Sequence, residues 1–379
     1  MKSFVKALML ATFVNTVLIL SPGVLYGQQY LYTNDNTFYG NNTTTAVRVE
    51  KNGTLKVIES YSTGGPGAGS GVYYALVGIA SAPLKSAQCL FVSNGGNSTI
   101  AGFTIDLASG KLKKVSGSPF SYGVSGKQGS GIGLAAGGDQ LLFAGNSAYN
   151  SISVLSIQPD CSLVAGQTYS VPGPPDGMQV TPNGKYLIVA YAGPVDSFAI
   201  DYSTGELTEL GPFKPEGFPT GVEISCDSST VFFADAVTYS EQVEVFGIDS
   251  SGMLSELYNF TDSHGQNSNN ALLSRDGKHL YVSNNHSNQL TTLSVGAKGE
   301  LTWDSTIYVR DSTVNTLGLA VGKTGPDIFL EEVNNPESIG VFATKGNGVT
   351  EIPKSPFGVV ENEGDAATFI AVPAKTCKR

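Results

Sequence analysis

Two short patterns each recur seven times along this chain, out of phase with one another, and that repetition restricts the fold more than any other feature. The first is a turn followed by an apolar residue. It reads Asn52-Gly53-Thr54-Leu55, Ser109-Gly110-Lys111-Leu112, Asp160-Cys161-Ser162-Leu163, Thr204-Gly205-Glu206-Leu207, Ser251-Gly252-Met253-Leu254 and Lys298-Gly299-Glu300-Leu301, with a weaker copy at Asn347-Gly348-Val349-Thr350. The second is an apolar strand that ends in small polar residues. Its copies begin at Leu31, Leu90, Leu142, Leu187, Phe232, Leu280 and Ile328, and typical examples are Leu90-Phe91-Val92-Ser93-Asn94 and Leu280-Tyr281-Val282-Ser283-Asn284. Copies of the turn stand about 44 to 57 residues apart, close to the ~40–50 of a propeller blade.

Each unit reads as four short strands. In the fourth unit these are about Gly177 to Thr181, Tyr186 to Ala190, Val195 to Asp201 and Leu207 to Leu210. One unit must be completed by both chain ends, with residues around Ala367 to Val372 as its innermost strand and Tyr30 to Ser60 as the other three. The expected fold is therefore all-β: a seven-bladed β-propeller of four-stranded antiparallel blades, with the ring closed by N- and C-terminal strands in one blade. A β-sandwich or a β-helix would use similar strands, but a sandwich has no reason to repeat seven times and a β-helix has shorter coils. Composition agrees. Gly is abundant at 46 copies, charged residues are few at 14% and hydrophobic residues reach 41%, which suits short strands joined by tight turns around a sizeable core.

Residues 1–27 read as a signal peptide and residues 28–379 as one propeller domain. Lys2 and Lys6 precede an apolar run from Ala7 to Leu20, Ser21-Pro22-Gly23 breaks it, and Gly27 offers a small residue for cleavage. The run is shorter than the ~20 residues of a membrane span, although a retained anchor is the competing reading. The expected location is secreted or periplasmic. The net charge is −10, and loss of residues 1–27 removes two Lys and no acid. Such an acidic chain argues against nucleic acid or anionic membranes as partners. A monomer is expected, with a small molecule or a protein as partner at the channel mouth. Cys89, Cys161, Cys226 and Cys377 allow three pairings, and the repeat register favours Cys89 with Cys377.

The strand ends, together with the leading turns Pro182-Asn183-Gly184-Lys185 and Arg275-Asp276-Gly277-Lys278 and the motifs Ser118-Pro119-Phe120 and Ser355-Pro356-Phe357, resemble the seven-bladed lactonase-like propellers. That group includes propeller-type phosphogluconolactonase and carboxymuconate cyclase and grades into the YVTN-repeat proteins. The resemblance implies a His at the start of one inner strand. It also implies a Pro-Arg-His start on the next blade and an Asn-Glu at the end of that blade's second strand, which together would bind and polarise a lactone. Here the corresponding positions are Pro175-Asp176-Gly177, Pro219-Thr220-Gly221 and Asp235-Ala236, so the Arg and both His are absent.

The expected function is accordingly a binding or interaction module outside the cytoplasm. The alternative is an enzyme that hydrolyses or forms a small carboxylated or sugar lactone, with Glu223 and Asp235 as its catalytic carboxylates. Glu223 stands in an otherwise packed inner strand, where a carboxylate needs partners, and a structural bond to a neighbouring blade is the competing reading. Asp176, Gln179, Tyr191, Asn284, His286 and Glu331 are the expected binding residues, on the face where loops converge. No metal or other cofactor is expected. Calcium is the one cation that Asp35, Asp235, Glu331 and Glu332 could attract, but they match no compact calcium loop. No phosphate-binding loop is present, because the Gly-rich run from Thr63 to Gly71 lacks the Lys-Ser or Lys-Thr that must follow.

Overall fold

The first pattern closes hairpins between the third and fourth strands of seven sheets. Its glycines sit where the turn needs a left-handed backbone: Gly53, Gly110, Gly205, Gly252 and Gly299 have φ between +74° and +88°. In the third copy Cys161 takes this place, with φ +65°. The apolar residue that follows turns inward. Leu55, Leu112, Leu163, Leu207, Leu301 and Val349 are buried, each in a different apolar cluster between adjacent blades, and Leu254 packs against the remaining cluster. The repeat is thus a packing device, one turn residue per blade junction.

The computed structural model describes residues 28–37, 40–68, 78–122, 132–191, 193–214, 217–236, 240–310, 315–322, 328–333, 338–359 and 368–372. The expected signal peptide lies outside these residues. Strands are named a to d from the channel outward. Blade 1 holds Gln29–Asn34 (b), Thr43–Val49 (c) and Leu55–Ser62 (d), and its strand a is the C-terminal Thr368–Val372. Tyr30 pairs with Val372 and Asn34 with Thr368, so the ends of the described chain are zipped into one sheet as expected. The inner strands of the other blades are Ile79–Pro83 (blade 2), Ile132–Gly137 (3), Pro175–Val180 (4), Pro219–Ile224 (5), Ser268–Leu273 (6) and Asn315–Val321 (7). Each contacts the next, and blade 7 contacts the C-terminal strand, so the ring is closed.

The Ser-Pro-Phe motifs have a clear role. Each adds a two-residue fifth strand, Phe120–Ser121 on strand c of blade 2 and Phe357–Gly358 on strand c of blade 7. Ser118 Oγ accepts from Gly102 N at 3.0 Å and Ser355 Oγ accepts from Val341 N at 2.9 Å, which satisfies the edge that the short strand d leaves open.

The expected pairing of Cys89 with Cys377 is not formed. Cys89 is bonded to Cys161, with Cα atoms 5.6 Å apart, and Cys226 is disulfide-bonded as well. Repeat register placed Cys89 near the right face but could not say which neighbour its side chain meets. Cys89 lies on strand b of blade 2 (Gln88–Asn94) and points at blade 3, where the c–d turn delivers Cys161 into the same buried cluster. Cys377 lies outside the described residues.

Adjacent inner strands approach closely at blades 4 and 5. A Cβ on Gly177 would stand 2.3 Å from the Thr220 carbonyl oxygen, a backbone atom that cannot swing away. Gly177→Ala is expected to cost about 1–3 kcal/mol of stability, read by chemical denaturation, because over-packing must displace a whole strand. An unchanged midpoint would show that the blades separate more easily than this packing implies. Among the described residues no helix is long and apolar enough to cross a membrane.

Candidate functional site

The inner strands enclose a central channel with a cavity of about 290 Å³. Its walls are mainly apolar, from Ile79, Met178, Val222, Leu272, Leu319 and Ile370, and its polar side chains are Gln179, Glu223 and Asn270. Consecutive residues of one inner strand, Met178 with Gln179 and Val222 with Glu223, both line it.

Glu223 is 1% exposed and held by both neighbours. Its Oε1 accepts from Leu273 N of blade 6 at 3.0 Å, and its Oε2 accepts from Gln179 Nε2 of blade 4 at 3.3 Å. One carboxylate therefore ties three blades together at the channel wall. This is the partner set that a buried carboxylate requires.

Asp235 stands elsewhere. It ends strand b of blade 5 (Thr230–Asp235) opposite Pro219, whereas Glu223 pairs with Phe232. Four residues of strand a separate the two positions, about 13 Å at the rise of a strand. The two expected catalytic carboxylates do not meet at one point.

What surrounds Asp235 was not visible in the motif reading. Blades 1, 2, 3 and 6 end strand b in Asn34, Asn94, Asn146 and Asn284, all buried. These side chains are pegs. Asn284 Nδ2 donates to Thr291 Oγ1 at 2.9 Å and Asn284 Oδ1 accepts from Ser268 Oγ at 3.1 Å. Asn146 Nδ2 donates to Ser98 Oγ and to Tyr122 Oη, and Asn94 Oδ1 accepts from Thr63 Oγ1. Blade 5 has Asp235 in the Asn position. By register it also has Glu244, opposite Phe233, where blade 6 has Thr291 opposite Val282. Two buried acids thus replace a neutral pair.

Gly217 covers them. Its N–H donates to Glu244 Oε1 at 2.8 Å, and a Cβ there would stand 2.5 Å from the Asp235 carboxyl. Burial, and then the Glu244 charge, pushes Asp235 up to about 9, while the Gln242 side chain and the Phe218 backbone pull only partly the other way. Glu244 was missed by sequence reasoning. Its signal is an acid inside the apolar alternation Val243-Glu244-Val245, legible only once strand c is aligned with its neighbours.

Asp176 occupies the bulge at the start of strand a in blade 4, the position held by Thr220 in blade 5 and Asn269 in blade 6. It is fully buried, burial raises its pKa well above the carboxylate range, and neither oxygen has a hydrogen-bond partner among the described residues. Asn269 Oδ1 and the Tyr191 hydroxyl are likewise buried without a partner there. Asp196, on strand c of blade 4, is raised to about 7, chiefly by burial, despite the bond from Ser197 N.

Among the other expected binding residues, Gln179 reaches the channel, whereas Asn284 is buried and committed to its own blade. His286 is exposed on a short turn, Asn285–Ser287, between strands b and c of blade 6. The Glu331 backbone pairs with Ile339 in blade 7, and its side chain lies outside the described residues, as does that of Glu332. Asp35 is buried beneath the hydroxyls of Thr33, Thr43 and Thr45. Among the described residues no group of three or more His, Cys, Asp or Glu stands together as a metal site.

A closed ring of seven four-stranded blades around an open channel defines a seven-bladed β-propeller. Within it, residues 85–224 match the family described as Lactonase, 7-bladed beta-propeller. No curated protein matches the sequence. Several solved structures cover nearly the whole ring. The periplasmic gluconolactonase of Pseudomonas aeruginosa has 20% identity and a TM-score of 0.69, over 91% of this chain and 100% of that one. A Bacteroides fragilis protein assigned as a 6-phosphogluconolactonase has 18% identity and a TM-score of 0.71, over 93% and 99%. Hydrazine synthase of Kuenenia stuttgartiensis also matches, at 19% identity and a TM-score of 0.55 over 73% of this chain and 78% of that one. Such different chemistry on similar rings means that these likenesses speak to the fold.

Proposed function

We propose that this protein is an exported lactonase-like propeller that binds a small uncharged ring compound in its channel without hydrolysing it. The observation that carries the reading is the state of Glu223, the one carboxylate among the described residues that line the cavity: both of its oxygens accept bonds that hold the ring together. A general base needs a lone pair directed at water or substrate. Among the described residues that line the cavity there is no Lys, Arg or His to serve a phosphate or carboxylate group as counter-charge. The apolar walls with a few fixed polar groups suit a neutral ligand. Export is supported by the disulfides, which persist in oxidising compartments, and by the apolar N-terminal run.

A second reading is hydrolysis of a neutral lactone. It is favoured by the family match and by Asp235, a carboxyl that burial keeps protonated at neutral pH and that could donate a proton. One experiment separates the two. Purified protein is given gluconolactone and δ-valerolactone, with and without calcium, while ring opening is followed by base uptake and binding by calorimetry. Saturable heat without turnover is expected. Turnover lost in Glu223→Gln would establish the enzyme instead, and absence of both heat and turnover would end the channel-binding reading.

A further inference from the structure

Blade 6 departs from its two neighbours at Asn270. The matching places in blades 4 and 5, just past the bulge that opens strand a, are Gly177 and Gly221, opposite Ala190 and Ala234 as Asn270 is opposite Ser283. Asn270 is half-buried and lines the channel cavity. We propose that its carboxamide is the recognition group for the channel ligand, and that this ligand carries a cis-amide in its ring, as a lactam does, in place of the ester of a lactone. This inference rests on the channel-binding reading and narrows its ligand class.

Asn270 is fixed through its backbone. Its N–H donates to Ser283 Oγ at 3.1 Å, and its carbonyl accepts from the same hydroxyl at 3.4 Å. Blade 5 presses on it from the other side, where a Cβ on Gly221 would stand 2.9 Å from Asn270 Cα. Its side-chain amide makes no hydrogen bond among the described residues. Gln179, the other amide among the described lining residues, is committed: its Nε2 donates to Glu223 Oε2 at 3.3 Å. Asn270 therefore brings the one carboxamide of this wall whose donor and acceptor are both unused.

A carboxamide sets an acceptor, Oδ1, beside the donors of Nδ2. A small lactam ring holds its own amide cis, so its N–H and C=O share one edge and meet both atoms at once. The lactam N–H donates to Oδ1, and its carbonyl accepts from Nδ2. A lactone of the same size has a ring oxygen where the lactam has N–H, which sets acceptor against acceptor at Oδ1. An unpaired polar group at a closed contact costs more than a formed bond contributes, so the site discriminates against the lactone. The rest of a lactam is hydrocarbon and uncharged. That suits the apolar wall of Ile79, Leu319 and Ile370.

The test is calorimetric titration of the full protein with δ-valerolactam and, separately, with δ-valerolactone, rings of equal size that differ by N–H against O. The lactam is expected to bind at one saturable site, about tenfold more tightly than the lactone. Asn270→Ala should remove that preference, bringing the two rings to within about twofold of each other. Asn270→Gly, the residue of blades 4 and 5 at this place, serves if the first variant misfolds by circular dichroism. Lactone binding as tight as lactam binding would overturn the cis-amide assignment and leave channel binding standing. So would a preference retained in a folded Asn270 variant. Absence of saturable heat with either ring would overturn the channel-binding reading, and the assignment with it.

Discussion

Asp235→Asn is expected to stabilise the folded protein by about 2–4 kcal/mol at pH 7, an unusual sign for a substitution at a fully buried position. The reasoning is linkage. Burial and Glu244 raise the folded-state pKa of Asp235 to about 9, far above an unfolded carboxyl near ~3.9. A carboxyl raised in this way contributes its full stability below the unfolded value, and that contribution is lost as pH climbs toward the folded one. Between those limits the loss is about 1.4 kcal/mol per pH unit at most, and relaxation around the site reduces it. Asp196, raised to about 7, acts with the same sign. Wild-type protein should therefore be more stable at pH 5 than at pH 8. Asn removes the largest of these losses, and it is the residue that blades 1, 2, 3 and 6 already carry at this place. Denaturant melts of both proteins at pH 5, 7 and 9 would measure this. A flat wild-type profile, or a less stable variant at pH 7, would show that Asp235 is charged and well paired in the folded protein.

Loss of the Cys89–Cys161 bridge should be the most damaging single event. The bridge spans 72 residues and joins blade 2 to blade 3, a loop whose closure entropy is worth about 4 kcal/mol in the chain model. Cys89→Ala should lower stability by about 3–4 kcal/mol. Cys161→Gly breaks the same bond but should cost about 1 kcal/mol less, because Cys161 holds a left-handed φ of +65° that glycine adopts without strain. Chemical denaturation of the two variants, with wild type under reductant as reference, gives the comparison. Equal losses would mean that the turn carries no strain, and a negligible loss would mean that blades 2 and 3 are held by their apolar cluster alone.

The parts of this protein that repeat were legible, and the parts that break the repeat were not. Leu112 and Leu163 announce themselves because every blade needs an apolar residue after the turn to fill the junction beside it. The closing strand, Thr368–Val372, followed from the same count, since an unpaired inner strand would leave a sheet edge open. Gln179 and Glu223 could be placed on the same side of neighbouring strands from alternation. Their mutual bond, and the one to Leu273, could not be deduced, because alternation says nothing about side-chain reach.

Seven blades and their closure were determined by the sequence itself, because strand period and turn chemistry are local and recur often enough to be read. Which cysteine meets Cys89, that Asp235 lies beside Glu244 beneath Gly217, and that Arg275 and His279 share a cavity were decided only by tertiary structure. These residues stand 4 to 72 positions apart in the chain, and their meeting depends on twist and packing that no local pattern records.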